Sequence, residues 1–364
     1  MASNLLAELN IKELDIHEIL KLAAERHASD VHIKAGVSPA FRIHRKLKVV
    51  TDLPVCTGDD TAKFLEEITS REQRDTFYRD QELDFAYEDP GISRFRVNAY
   101  FQTGTVSLVL RLVRTDVPTV EGLGLPSVCK DLVMKKDGLL ILTGPTGCGK
   151  STTMAAMLSY LNTQQERNVI TIEDPIEYMF HDDKCTFSQR EVGVDTQCFA
   201  SGLKHVLRQD PDVILIGEMR DLETMATALT AAETGHLVMT TLHTPSTFQA
   251  IDRFIDAFPA SQHAQIRLQF STVLLGILYQ NLIPAASGTG VVPAVEVLVA
   301  TPAIRNLIRD GKSFQISTYL HSGQSMGMQT LDQSLVDLHR RGLISYQDAV
   351  RHAQNADSIG PKES

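Results

Sequence analysis

The run Gly138-Leu-Leu-Ile-Leu-Thr143, continued by Gly144-Pro145-Thr146-Gly147-Cys148-Gly149-Lys150-Ser151-Thr152, decides the fold. An apolar run of strand length empties into a loop that matches G-x-x-x-x-G-K-[ST] in full, and a helical pattern follows from about Lys150 to Leu161. The glycines let backbone N–H groups turn inward around phosphate oxygens, and the helix N-terminus adds its positive dipole end. In such a loop Lys150 reaches the β- and γ-phosphates, and the Ser151 hydroxyl ligates Mg2+. A glycine-rich turn that binds nothing is the bland alternative. The strand before it and the helix after it are the context that a phosphate-binding loop requires. Gly144–Thr152 is therefore expected to bind ATP with Mg2+.

Downstream, Val169–Ile172, Val213–Ile216 and Leu237–Thr241 are further short apolar runs with helical stretches between them. That is the pattern of a parallel sheet with helices on both faces. Later helices are expected over 246–257, 261–282, 302–310, 328–341 and 346–355, and the tail 357–364 is expected to lack structure. Upstream the pattern changes. A helix over 14–27 precedes strand-like stretches at Asp30–Lys34 and Phe41–Val50, two charged helices over 59–80, and strands at Glu82–Tyr87, Arg94–Gln102 and Thr105–Val113. The expected division is an α+β domain on an antiparallel sheet over 1–115, a linker over 116–125 and an α/β nucleotide-binding domain over 126–364.

The bulk chemistry narrows the function. A net charge of −10, no Trp and 6% aromatic residues argue against a nucleic-acid-binding face. Five cysteines without CxxC spacing exclude a paired zinc ribbon and a disulfide framework, and fit a reducing cytosol. The start MASNLLAELN lacks a basic region followed by an apolar run, and the apolar stretch Leu268–Leu282 is interrupted and too short to span a bilayer. A cytoplasmic protein is expected.

A phosphate-binding loop also needs a carboxylate for the magnesium shell and another to orient the attacking water. Both belong just beyond the carboxyl ends of strands. Glu173 follows the run VITI and Glu218 follows VILIG. Glu173 is assigned as water activator and Glu218 as the magnesium-shell residue, through water, although the two roles are exchangeable at this level. Either glutamate alone reads equally as a charge at a helix N-terminus. His236 starts the run HLVMTT and His243 follows its end; a histidine at a strand end can hydrogen-bond the γ-phosphate or the catalytic carboxylate. Arg94, Arg96, Arg111 and Arg114 lie on two adjacent expected strands, either as a solvated basic face or as arginine fingers for a nucleotide on a neighbouring subunit. Arg190 is a further candidate.

Leu207-Arg-Gln-Asp-Pro-Asp-Val-Ile-Leu-Ile-Gly-Glu-Met-Arg-Asp221 resembles the signature of the type II/type IV secretion ATPase superfamily. Thr171-Ile-Glu-Asp-Pro-Ile-Glu177 resembles its Asp box, Gly235–Thr244 its His box, and Ala28–His32 with Arg94–Asn98 its PAS-like N-terminal domain. Ala303-Ile-Arg-Asn-Leu-Ile308 and Gly327–Asp332 are similar to the PilT family of type IV pilus retraction (twitching motility) ATPases. The resemblance implies a PAS-like domain followed by a RecA-like P-loop ATPase domain, assembled as a homohexamer with ATP at subunit interfaces. It further implies Arg96 and Arg111 as fingers across that interface. The partners implied are an inner-membrane pilus platform protein, which would hold the chain at the membrane periphery, and a second retraction ATPase; nucleic acid is not among them. A PilU-like accessory retraction ATPase is the nearest rival. Extension and secretion motors carry a tetracysteine insert absent here. A RecA-like nucleic-acid translocase lacks its basic aromatic face, and a non-hydrolysing nucleotide sensor would have lost a carboxylate that this chain keeps.

Overall fold

The computed structural model describes residues 15–43 and 46–360. The start of the chain and residues 361–364 lie outside it. The chain divides into two compact units, Met1–Thr115 and Asp116–Ser364.

The first unit runs α1 (Ile16–Glu25), β1 (Asp30–Lys34), β2 (Ala40–Ile43), β3 (Lys46–Val49), α2 (Gly58–Ile68), α3 (Arg71–Asp80), β4 (Glu82–Asp89), β5 (Ser93–Gln102) and β6 (Thr105–Leu112). Its strands form one sheet in the order β3-β2-β1-β6-β5-β4, with every neighbouring pair antiparallel. Alternation sets the faces. Phe95, Val97 and Ala99 of β5 are buried in one core with Val31, Leu108, Leu110 and Phe64. The alternate positions Arg96, Arg111, Asp30 and Arg42 stand opposite one another in register across four strands. Phe41–Val50, expected as one strand, is two antiparallel strands. The five-residue β1 cannot pair a ten-residue neighbour, and doubling back satisfies the remaining backbone groups.

The second unit runs α4 (Val128–Val133), β7 (Gly138–Thr143), α5 (Lys150–Gln164), β8 (Asn168–Glu173), β9 (Thr186–Glu191), α6 (Phe199–Val206), β10 (Val213–Ile216), α7 (Leu222–Glu233), β11 (Leu237–Leu242), α8 (Thr247–Asp256), α9 (His263–Val273), β12 (Leu274–Pro284), β13 (Val291–Val299), α10 (Pro302–Arg309), α11 (Ile316–Ser322), α12 (Leu331–Arg340) and α13 (Tyr346–His352). Seven strands lie in the order β13-β12-β7-β11-β10-β8-β9. All neighbours are parallel except β12 and β13. Every residue of β7, β10 and β11 is buried, as a sheet covered on both faces demands. Leu139 and Ile141 enter one core, whereas Leu140 and Leu142 enter the other.

The helix expected over 261–282 ends at Val273, and the chain continues as β12. An apolar run reads alike as buried helix or buried strand. Here the β-branched run Val291–Val299 lies antiparallel beside it and β7 parallel on its other side, so strand pairing on two edges prevails. Val120 and Leu125, within the stretch 116–125, are buried in the core around β7. Within the tail expected to lack structure, Ala356–Ile359 forms a helical turn and Ile359 packs with Leu331 and Leu335 of α12, while 361–364 lie outside the described residues.

Candidate functional site

Strand β7 delivers the chain to the carboxyl edge of the sheet, where Gly144 turns away at φ 142°. A β-carbon on Gly144 would stand 2.3 Å from the Gln280 carbonyl oxygen, so only glycine lets the loop leave so close to β12. Gly149 then caps α5 at φ 87°. The amide side chain of Gln280 ties down the loop between them: Nε2 donates to the Cys148 carbonyl at 2.6 Å, and Oε1 accepts from the Thr153 hydroxyl at 2.7 Å. Cys148 is buried and its thiol pushed up by that burial, which makes it a space-filling residue rather than a thiolate.

Lys150 folds back on its own loop. Its Nζ donates to the carbonyls of Gly144 at 2.9 Å and Pro145 at 3.1 Å, and lies 3.5 Å from Nδ1 of His243. Burial holds this ammonium below the usual lysine range, against the opposing pull of Cys148, Glu218 and Glu177. Ser151 is exposed at the start of α5, and the Thr152 hydroxyl lies 3.0 Å from the buried Tyr178 hydroxyl.

Parallel strands bring the other groups to the same edge. Glu173 ends β8, Glu218 lies two residues past β10, and His243 follows β11 directly. His243 Nε2 is 3.5 Å from Oε2 of Glu218, whose Oε1 accepts from Arg220 at 2.7 Å. Lys150, His243 and Glu218 thus form a continuous polar chain from the phosphate loop to the end of β10. Glu173 stands apart from it in a drier setting. Thr171 Oγ1 donates to its Oε1 at 2.7 Å and Gln189 Nε2 to the same oxygen at 3.3 Å. Burial pushes the Glu173 carboxyl up to about 7, against the hydrogen bonds from Thr171, Gln189 and the Glu177 backbone. A carboxylate poised near neutrality, one of two acids in contrasting surroundings, is the arrangement that general-base chemistry uses. Ser151 and Glu218 offer hard oxygen donors beside the loop, the donor type that Mg2+ takes.

The structure does not bring His236 to this group. It precedes β11 at the opposite edge of the sheet, about 20 Å from His243 by strand rise, with Nδ1 at 2.9 Å from the Ala231 carbonyl oxygen. Its backbone carbonyl accepts from Gly138, at the start of β7 rather than its end. Arg96 and Arg111 belong to the first unit, where Arg111 Nε donates to Asp30 at 2.9 Å. Burial pushes the Asp30 carboxyl up, but Arg111, Ser29 and Arg42 outweigh it and hold the group below the usual carboxylate range. Arg190 on β9 donates to the Asp195 carbonyl at 2.9 Å. Sequence reading missed Gln280, Gln189, Thr171 and Tyr178. Thr171 has a legible signal, since it lies two residues before Glu173 on a strand and therefore on the same face.

The chain matches the type II/IV secretion system protein family over residues 6–351. It is 45% identical over 341 residues to the type IV pilus retraction ATPase PilT of Pseudomonas aeruginosa, spanning 94% of this chain and 98% of that protein. The type IV pilus ATPase PilU of the same organism is 41% identical over 346 residues, spanning 95% and 90%. A crystal structure of the pilus retraction motor PilT with bound ADP superposes with a TM-score of 0.86 at 45% identity, over 94% of this chain and 98% of that one.

Proposed function

The chain belongs to the type II/IV secretion system protein family, and on that premise we propose that it is an ATP-hydrolysing motor of the PilT type that retracts a type IV pilus. The observation that carries this reading is the gathering of a complete phosphate loop, Glu173, Glu218 and His243 at the carboxyl edge of one parallel sheet.

ATP lies with its phosphates on Gly144–Thr152. Lys150 leaves the carbonyls of Gly144 and Pro145 for the β- and γ-phosphates, which gives the ammonium charged partners in place of neutral ones. Glu173 takes a proton from water while the water oxygen bonds to the γ-phosphorus, and the bond from that phosphorus to the β-γ bridging oxygen breaks to release ADP. Ser151 directly and Glu218 through water would hold Mg2+, which when bound neutralises phosphate charge. His243 stands between Lys150 and Glu218, so movement of Lys150 alters its contacts.

The working form is a homohexamer in which Arg96 and Arg111 of one subunit reach the nucleotide of the next. Its partner is a pilus platform protein at the inner membrane, beside a second retraction ATPase. Among the described residues no helix is long and apolar enough to cross a membrane. The identity to PilU is nearly as high, and the accessory role is the second reading.

The test is phosphate release from Mg-ATP by the wild type and Glu173→Gln, with light scattering on both. Hydrolysis by a particle of six chains, lost in the variant while the particle persists, is the expected result. Rings that bind ATP and release no phosphate refute the motor. A deletion strain that still retracts its pili refutes the PilT role and favours the accessory one.

A further inference from the structure

The surroundings of Glu173 contain two side chains that the reaction above does not use. Thr171 is fully buried on β8, and its hydroxyl donates to Glu173 Oε1 rather than to a backbone carbonyl. Thr241 of β11, also buried, donates instead to the Gly217 carbonyl. Gln189, on the adjacent strand β9, reaches the same oxygen. Its amide is itself fixed at both ends, since Nε2 also donates to the Tyr178 carbonyl at 2.8 Å and Oε1 accepts from the Phe180 N–H at 2.9 Å. Two donors from two strands therefore fall on one carboxylate oxygen, and Oε2 receives neither of them. Parallel pairing of β8 with β9 puts Thr171 beside Gln189 in register, so the arrangement is built into the sheet and not into a loop.

We propose that Thr171 and Gln189 are positioning residues that hold Oε1 of Glu173, orienting the carboxylate so that Oε2 meets the attacking water. The proposal rests on the reading of Glu173 as the base. It also sets the pH range in which that base works. Hydrogen bonds to a carboxylate stabilise its ionised form, so removing either donor makes Glu173 keep its proton to higher pH. The charged groups on the elements around it are Asp174 and Glu177 on its own loop, Arg190 and Glu191 on β9, Glu218 after β10 and Lys150 on the phosphate loop. None of them is substituted in the test.

The experiment compares pH profiles of kcat/KM for ATP hydrolysis in the full-length assembly: wild type, Thr171→Val, Thr171→Ser, Gln189→Met and Glu173→Gln. ATP affinity is measured on each by titration with a fluorescent analogue. A hydrogen bond to a charged group is worth enough to move the acidic limb of Thr171→Val up by about one pH unit, a roughly tenfold loss well below the limb. Gln189→Met moves it less, because its bond is longer, and Thr171→Ser restores the wild-type limb. ATP affinity stays within about threefold, a pattern that a merely structural role for these side chains does not give. The ionisation of ATP itself is common to all the proteins and cancels in the comparison. Limbs that coincide in Thr171→Val, Gln189→Met and wild type overturn the proposal while leaving the base in place, provided Glu173→Gln is inactive. Hydrolysis by Glu173→Gln at the wild-type rate overturns the base and this proposal with it. If Thr171→Val does not fold, the limb of Gln189→Met decides alone.

Discussion

Gln280→Met tests whether the phosphate loop is held from outside its own sequence. Gln280 is 3% exposed on β12, and its two hydrogen bonds reach Cys148 and Thr153, more than a hundred residues earlier in the chain. Methionine fills nearly the same volume without a donor or acceptor, so the change is confined to the two bonds. The Thr153 hydroxyl sits inside α5 and can turn to the Gly149 carbonyl one turn back, as helical threonines do, at little cost. The Cys148 carbonyl has no such recourse. It faces the place where the amide nitrogen was, and an unpaired buried carbonyl costs about 1–3 kcal/mol. If the loop stays put, the whole penalty falls on the second unit, and the melting temperature drops by roughly 2–4 °C for each kcal/mol in a body of this size. If the loop moves to hydrate the carbonyl, stability is spared and the amide cradle is lost from the unliganded state. ATP must then restore it, and the same 1–3 kcal/mol appears as an affinity about five- to 150-fold weaker. Melting curves without nucleotide and a fluorescent ATP titration on the same protein separate the two routes, and their combined effect should come to about 1–3 kcal/mol. A variant that melts with the wild type and binds ATP within twofold refutes the clamp.

Two further outcomes follow from titratable groups. Glu173 keeps its proton to about pH 7 when folded, against 4.5 for the ordinary glutamate, so the unfolded chain releases that proton first. Wild-type stability therefore falls as pH rises through that window, by up to about 3 kcal/mol, and is flat above it. Glu173→Gln should melt above the wild type at pH 8, with the gap closing toward pH 5; equal melting temperatures at both pH values contradict the raised carboxyl. Among the cysteines, Cys56, Cys129, Cys148 and Cys185 are buried and only Cys198 is exposed. A thiol reagent at neutral pH should modify one group rapidly in the native protein, and mass spectrometry should place it on Cys198; rapid reaction at Cys148 contradicts the packed loop.

The site was legible where its chemistry depends on neighbours in sequence and obscure where it depends on neighbours across the sheet. Gly144–Ser151 carries its turns locally, because the positive-φ glycines and the helix start lie within eight residues. Glu173, Glu218 and His243 were found because a parallel sheet sends every strand end to one edge, so an acid or a histidine after an apolar run falls there whatever its pairing. The same logic separates His243 from His236: parallel direction carries the residue after β11 to the nucleotide edge and the residue before it to the far side. Gln280 was lost with its strand. The run Leu-Leu-Gly-Ile-Leu-Tyr-Gln is as apolar as a buried helix, and only its pairing with β13 and β7, both distant in sequence, makes it a strand. Strand β9 was hidden for the opposite reason. Its sequence Thr-Phe-Ser-Gln-Arg-Glu is polar, as an edge strand permits, and no periodicity marks it.

That difference has a functional consequence. Of the residues read from sequence, Lys150, Glu218 and His243 gather at one edge of the sheet, whereas those that escaped, Gln280 and Gln189, hold the phosphate loop and Glu173 from strands β12 and β9. Strand β9 is an edge strand with one neighbour, whereas β12 is held between β13 and β7. A displacement of β12 would reach the phosphate loop through Gln280, and a displacement of β9 would reach Glu173 through Gln189. Since β12 also carries Tyr279 and Ile283 into the core of α12 and α13, a force applied to the C-terminal helices has a hydrogen-bonded route to the Cys148 carbonyl. In a motor, where work at one surface must govern chemistry at another, such a route needs only a small shift in a strand that is already the loop's support.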